Sequence, residues 1–187
     1  KKVEKYVDEL LEDSEIFQAI INSSKNSAFW NDDKDIIRNL SALRDLDALY
    51  VIPTIITAYR MYKTEYSNLK EIIRLILVYF FRFKIIGPGH GNDVETIMVK
   101  LCQNLSGYDD ETEKVRTYSI DEIKTKLTSR TVDDTIFEKQ FSDASIKKTA
   151  YVKYILKEIE QVLAGSRTEE LETNDKLTVE HVLPKSF

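Results

Sequence analysis

The sequence predicts a mainly α fold, an irregular bundle of about seven to eight helices with at most a short strand at the C-terminus. Apolar residues recur at helical spacing from Val3 to Leu163, and alternating strand patterns are nearly absent. Only 5 glycines and 3 prolines occur in 187 residues, which argues against a loop-rich or sandwich fold. We expect a helical domain over residues 1–165, a polar connector over 166–176 and a separate C-terminal segment over 177–187.

The first quarter of the chain contains two amphipathic helical patterns joined by a polar loop. The first pattern continues to Ile21 or restarts after a kink, and the second covers residues 35–48. Phe29 and Trp30 lie in the loop, where adjacent aromatic residues favour anchoring to the core; a stacking platform for a nucleic-acid base is the alternative. One face of the first helix carries Val3, Tyr6, Val7, Leu10 and Leu11.

The middle of the chain is its most apolar part. Pro53 suits the first turn of a helix that starts near residues 50–52. Ser67 or Asn68 then caps a helix that runs to about Phe83, with Glu71 placed for a capping box on Asn68. This helix is apolar nearly all round, so we expect it to be central and buried.

A glycine-rich break follows, Gly87-Pro-Gly-His-Gly-Asn92. It matches neither a P-loop, because no G-K-[ST] follows, nor a dinucleotide fingerprint, because no strand and helix alternate around it. The pattern favours a tight turn, and phosphate binding by its amides is the alternative. His90 within it is expected to be solvated rather than catalytic.

Four further helices complete the predicted bundle. One covers residues 94–105 and ends at Gly107, and Ser119 with Glu122 forms a capping box for the next. A short helix covers residues 133–141. A long one opens at Ser145, continues to Ala164 and stops at Gly165.

Composition excludes several classes of protein. Cys102 is the single cysteine, so an internal disulfide framework and a multi-cysteine zinc site are excluded, and the cytoplasm is the expected compartment. The most apolar run, residues 72–83, is interrupted by Arg74 and Arg82 and is too short to span a bilayer, and the charged N-terminus is unlike a signal peptide, so no membrane role is expected. A formal charge of −5 is not that of an autonomous DNA-binding domain, so any nucleic acid must meet a local basic patch.

The last ten residues carry the clearest chemical signal. Glu180 precedes His181, apolar residues flank the pair, and Pro184 follows. Adjacent side chains of a strand point to opposite faces, so both can reach one point only where the backbone bends. A carboxylate and a histidine at such a bend can hold a hard divalent cation and deprotonate a water beside it.

This ending resembles the first motif of the HNH (His-Me finger) nucleases, and more narrowly the E-H-[IV]-L-P motif of the C-terminal domain of GmrSD-type restriction endonucleases. The apolar-aromatic run from Leu77 to Gly87, then Asn92 and a helix ending near Leu105, is similar to the family's helical region, as is Tyr154-Ile-Leu-Lys-Glu-Ile-Glu160. The resemblance covers roughly Asp35 to the end of the chain, with the motifs in the family's order.

The resemblance implies a metal-dependent DNA endonuclease that defends against phage DNA carrying modified bases. It implies that His181 is the general base, that Glu180 binds Mg²⁺ or Mn²⁺, and that a nucleotide-hydrolysing N-terminal domain outside this chain binds the NTP. Arg82, Lys84 and Lys185 are the candidates for nucleic-acid contact, and Arg82 matches the arginine of the family's apolar-aromatic segment. Because Arg82 also ends a buried helix, we expect it to have a definite partner, which is a carboxylate, a carbonyl or a phosphate.

The chain stops at Phe187, before the Asn and the second His of the family's finger, so we expect it to be catalytically inert alone.

Two other functions are compatible with the same residues. A noncatalytic helical adaptor that binds protein or DNA is the first alternative. The second is an ordinary helical domain in which the motif is coincidental.

Overall fold

A computed structural model of the chain describes residues 2–89, 91–107, 118–129 and 131–165, and these contain eight α-helices and no strand. The mainly α prediction is therefore confirmed. The helices are α1 (Lys2–Ile21), α2 (Lys34–Asp45), α3 (Ile52–Tyr62), α4 (Tyr66–Tyr79), α5 (Gly91–Leu105), α6 (Ile120–Thr128), α7 (Asp134–Asp143) and α8 (Thr149–Ala164).

The chain divides into two units, Lys1–Ala144 and Ser145–Phe187. The first holds α1 to α7 and the second holds α8, so the division falls inside the predicted helical domain of residues 1–165. The predicted connector, 166–176, and the C-terminal segment, 177–187, lie outside the described residues.

Helix α4 is the centre of the first unit, as its all-round apolar pattern predicts. Ile72, Ile73 and Ile76 are completely buried. Helices α2, α3 and α6 all pack against α4, so it has neighbours on several sides. Among the described helices, none combines the length and the apolar character that crossing a bilayer requires.

The α-helical part of this element is shorter than predicted, because α4 ends at Tyr79 and a π-helix follows over Phe80–Ile86. The glycine-rich segment then folds back on the π-helix. The amide of Gly87 donates to the Arg82 carbonyl and that of Gly89 to the Phe83 carbonyl, each at 2.9 Å. A Cβ on Gly87 would lie 2.6 Å from the Arg82 carbonyl oxygen, and a Cβ on Gly89 would lie 2.6 Å from that of Phe83. Both positions therefore need glycine. These contacts agree with a tight turn, and they occupy both amides.

The loop between α1 and α2 is anchored by Trp30, which is completely buried. Its indole N–H donates to the Ala19 carbonyl at 3.0 Å. Phe29 stacks on Tyr59 with ring centroids 5.1 Å apart, and the indole meets the same tyrosine edge-on. The two aromatic residues therefore hold the loop against the core, which is the first of the two predicted roles.

Most helix boundaries follow from local chemistry. Pro53 lies in the first turn of α3. Ser119 and Glu122 form both hydrogen bonds of the predicted capping box, at 3.2 and 2.9 Å. The predicted stops are also correct, since α5 is followed by Gly107 with φ 75° and α8 by Gly165 with φ 61°.

Two predicted starts are wrong. Helix α4 begins at Tyr66 without a side-chain cap. The predicted box on Asn68 does not form, because Asn68 lies inside the first turn, where its amide already donates to the Glu65 carbonyl at 2.9 Å. Glu71 is instead bound by Arg74 through both carboxylate oxygens, at 2.7 and 2.8 Å. Helix α8 begins at Thr149 rather than at Ser145. Ser145 has Lys148 three residues later, where a capping box needs Glu or Gln.

Candidate functional site

Two of the five residues predicted to act on nucleic acid or metal lie in the described part of the chain. Arg82 and Lys84 are both in the π-helix and are both partly buried. Glu180, His181 and Lys185 lie outside the described residues, as does His90. The geometry around Arg82 is therefore the part of the predicted site that can be described.

The π-helix presents Arg82 to the N-terminus of α7. A group of phenylalanines holds the two elements together: Phe137 and Phe141 of α7 stack with centroids 5.8 Å apart, and Phe81 contacts both at 6.3 and 6.4 Å. Helix α7 has no fully buried residue of its own. Its position therefore depends on these half-exposed rings and on Arg82.

Arg82 makes three contacts with this region. Its Nη2 lies 2.7 Å from Oδ1 of Asp134 and donates to the Val132 carbonyl at 3.0 Å. Its guanidinium carbon lies 4.5 Å from the ring centroid of Phe137, a cation–π distance. The side chain of Arg82 is 22% exposed whereas that of Asp134 is 85% exposed. An arginine at this position was expected to have a definite partner, and the partners are a carboxylate and a carbonyl.

A cleft of about 390 Å³ lies beside this contact, within the size range of small-molecule sites. Its lining is more apolar than polar. Leu75, Val78 and Tyr79 line it from α4, Arg82 from the π-helix, Leu127 and Thr128 from α6, residues 131–133 from the loop before α7, and Asp134 from the start of α7.

The two carboxylates that line the cleft are already engaged by other groups of the chain. Asp133 caps α7, because its Oδ1 accepts the Ile136 amide at 2.8 Å, and Asp134 pairs with Arg82. A phosphate that approached Arg82 would have to displace Asp134, whose high exposure would let it move away into water. Nucleic-acid contact by Arg82 and Lys84 stays a prediction.

Several other basic residues of the bundle are also ion-paired. Arg60 lies 2.8 Å from Asp13, Lys63 lies 3.0 Å from Glu12, Lys70 lies 2.6 Å from Asp35, and Arg74 lies 2.7 Å from Glu71. The first two pairs join α3 to α1, and the third joins α4 to α2. These cations therefore connect helices or stabilise one helix locally.

Sequence reasoning missed Asp134 and Phe137 as partners of Arg82. The sequence marks residues 133–134 as a helix start, because Asp is common there, but it does not say which distant side chain meets them. No group of three or more His, Cys, Asp or Glu residues that could hold a metal occurs within the described ranges.

Comparisons of the chain with protein-family models, with curated proteins and with solved structures found no match.

Proposed function

We propose that this chain is part of a GmrSD-like restriction endonuclease that defends against foreign DNA with modified bases. The observation that carries the proposal is the sequence Glu180-His-Val-Leu-Pro184 placed after a long helical region. The reaction is hydrolysis of a phosphodiester with a divalent cation. The mainly α fold of the described residues, 2–89, 91–107, 118–129 and 131–165, supports a helical region in that place.

In this proposal His181 takes a proton from the water that attacks the scissile phosphate. A neutral imidazole suits that transfer, because the ordinary pKa of histidine is close to neutral pH. Glu180 is the metal ligand, since a carboxylate oxygen is a hard donor that suits Mg²⁺ or Mn²⁺. The cation, when bound, stabilises negative charge on the phosphate and on the leaving oxygen.

The helical region is proposed to be a noncatalytic scaffold between this motif and an N-terminal domain that hydrolyses the NTP. The described contacts support a scaffold role, because the basic residues Arg60, Lys63, Lys70 and Arg74 are engaged by carboxylates of the bundle itself. DNA is the proposed partner of the whole protein, with Arg82, Lys84 and Lys185 as candidate contacts. The proposed location is the cytoplasm, where incoming DNA would be met.

The experiment is cleavage of modified and unmodified plasmid by the full-length parent protein, with NTP and Mg²⁺ or Mn²⁺. His181→Ala should lower the cleavage rate by several orders of magnitude and leave DNA binding unchanged. His90→Ala is the matched control, because these are the 2 histidines of the chain. If His181→Ala cut at the parental rate, the motif would not be a nuclease motif.

Residues 1–187 by themselves are expected to leave plasmid DNA uncut, because an HNH finger brings its ligands together from a strand, a hairpin and a helix. Divalent-dependent nicking by this chain, purified to constant specific activity, would contradict that expectation. The assay uses the same plasmids and metals as the test of the parent protein.

A noncatalytic adaptor is the second candidate function, and the exposed apolar side chains of α1 favour it. Val3 and Leu11 are 75% and 60% exposed, which is unusual for apolar residues on one helix face. An adaptor would bind its partner equally well with His181 replaced, and the parent protein would show no metal-dependent cleavage.

A further inference from the structure

The N-terminal half of α1 presents an exposed apolar stripe. The stripe consists of Val3, Tyr6, Val7, Leu10 and Leu11, which are 46–75% exposed and follow the i, i+3, i+4, i+7, i+8 spacing of one helix face. Side chains of this kind normally face a core or a partner.

The stripe is not the side by which α1 packs on the bundle. Ile16, Ala19 and Ile20 form the buried side. Ala19 lies nine residues from Leu10, which is two and a half helical turns, so the two residues point in opposite directions. Helix α1 therefore has two apolar sides: one held by α2 and α3, and one open to solvent.

Carboxylates border the open side. Glu4, Asp8 and Glu15 lie along the edge next to Leu11, and all three are exposed. Asp8 and Glu15 make no ion pair with any residue in the described part of the chain. On the bundle side, by contrast, Glu12 and Asp13 are neutralised by Lys63 and Arg60.

We propose that this stripe is the docking surface for a cationic amphipathic helix of a partner protein. The mode is helix against helix, with apolar side chains on the stripe and Lys or Arg beside Asp8 and Glu15. The sign of the charge selects the partner: α1 carries six carboxylates and two lysines, so a second copy would bring its own carboxylates to the contact. An anionic membrane surface is disfavoured for the same reason. The proposal is independent of the chemistry of Glu180 and His181.

The experiment measures fluorescence anisotropy of two dye-labelled peptides with the chain of residues 1–187. Both peptides have leucine at i, i+3, i+4 and i+7; one has lysine at the other positions and the other has glutamate. We expect the lysine peptide to bind at least about tenfold more tightly. Val7→Glu with Leu10→Glu should abolish that binding, even though the added negative charge increases non-specific attraction to lysine. Val99→Glu is the matched control, because Val99 is an exposed valine of α5.

The second variant reverses the charge of the carboxylates beside the stripe. Asp8→Lys with Glu15→Lys leaves the stripe intact and should transfer the binding preference to the glutamate peptide. This variant decides the matter even if circular dichroism shows that the stripe variant has lost helix α1. Equal binding of both peptides by the parent chain, or an unchanged preference after charge reversal, would overturn the proposal. A dimer of the chain that the stripe variant dissociates would overturn it too, by making a second copy the occupant.

Discussion

The N-termini of α2 and α7 are each held by an ion pair with one cation, which comes from α4 for α2 and from the π-helix after α4 for α7. The two junctions differ in the packing behind the ion pair. At α2, Lys70 lies 2.6 Å from Asp35 and 3.3 Å from Asp33. At α7, Arg82 lies 2.7 Å from Asp134. Each helix is also capped by the aspartate immediately before it.

Behind the α2 ion pair the packing is dense. Trp30 is completely buried, and the hydroxyl of Tyr66 donates a hydrogen bond to the Trp30 carbonyl. Burial raises the pKa of Tyr66 to about 12, so the hydroxyl remains a donor at any ordinary pH. Ile36 and Leu40 of α2 are also completely or almost completely buried.

Behind the α7 ion pair lie the 390 Å³ cleft and half-exposed rings, and no residue of α7 is buried. Exposed ion pairs contribute about 0–1 kcal/mol, whereas burial contributes about 25 cal/mol per Å² of apolar surface. The comparison teaches that similar ion pairs can accompany very different anchoring. We expect α7 to open locally at a lower free energy than the bundle unfolds.

The largest expected effect comes from removing one aromatic side chain at each junction. Trp30→Ala removes a completely buried ring and its hydrogen bond to Ala19, so the free energy of unfolding should fall by about 3–5 kcal/mol. Phe137→Ala removes a half-exposed ring and should lower it by about 1–2 kcal/mol. Urea unfolding followed by circular dichroism measures both variants. Tryptophan fluorescence would not serve, because Trp30 is the only tryptophan and one of the variants removes it.

If Trp30→Ala fails to fold, Trp30→Phe gives the same comparison at smaller amplitude, since it keeps a ring and loses the N–H donor. Equal losses from the Trp30 and Phe137 variants would contradict the difference in anchoring between α2 and α7.

A smaller effect is expected from removing each cation. Arg82→Met loses the Asp134 pair, the hydrogen bond to Val132 and the contact with Phe137, so α7 should open more easily by about 1–2 kcal/mol. Lys70→Met should change the stability of α2 by about 0.5 kcal/mol or less, because the buried residues still hold it.

Hydrogen exchange measures the two cation variants separately. Amides of α7 should exchange about tenfold faster in Arg82→Met, with amides of α2 unchanged. Arg82→Lys is the control: it keeps the charge but lacks the planar guanidinium that lies over the Phe137 ring, so part of the protection should still be lost. Uniform acceleration across all helices would show that α7 does not open separately.

The features of the fold that sequence predicts are local or strongly periodic. The capping box of Ser119, the proline start of α3 and the burial of α4 each depend on residues within a few positions of one another. The π-helix was not predicted, because the apolar pattern after Tyr79 is the same for either helix type. The box on Asn68 was wrong because the helix begins two residues earlier, at Tyr66, so the amide of Asn68 already donates to the Glu65 carbonyl.

The candidate site was predictable only in part, for a different reason. Sequence indicates that Arg82 has a definite partner, but Val132 is 50 positions away, and only the fold brings the two together. The open side of α1 is another case. Its periodicity is that of a core-facing helix, and nothing in the pattern tells a face that packs on the bundle from one that remains open.

The smallest expected effect concerns the pH dependence of the α2 ion pair. Hydrogen bonding to Lys70 lowers the pKa of Asp35 below its ordinary value, against a smaller opposing effect of burial. A carboxyl whose pKa is lower in the folded chain stabilises it above the pKa of the unfolded chain, and this contribution is lost as the pH falls from about 5 through the lowered pKa. Asp35→Asn should therefore be slightly less stable than the parent at pH 7 and indistinguishable from it in strong acid. The difference should be a few tenths of a kcal/mol, because Asp35 is half exposed and water screens the pair. Lys70→Met should remove most of this pH dependence, with Arg38 keeping a small part of it, whereas Arg82→Met should retain it, since it leaves the α2 ion pair intact. Urea midpoints measured every half unit from pH 2 to pH 7 test this, and a stability difference that grew toward acid would contradict the direction of the shift.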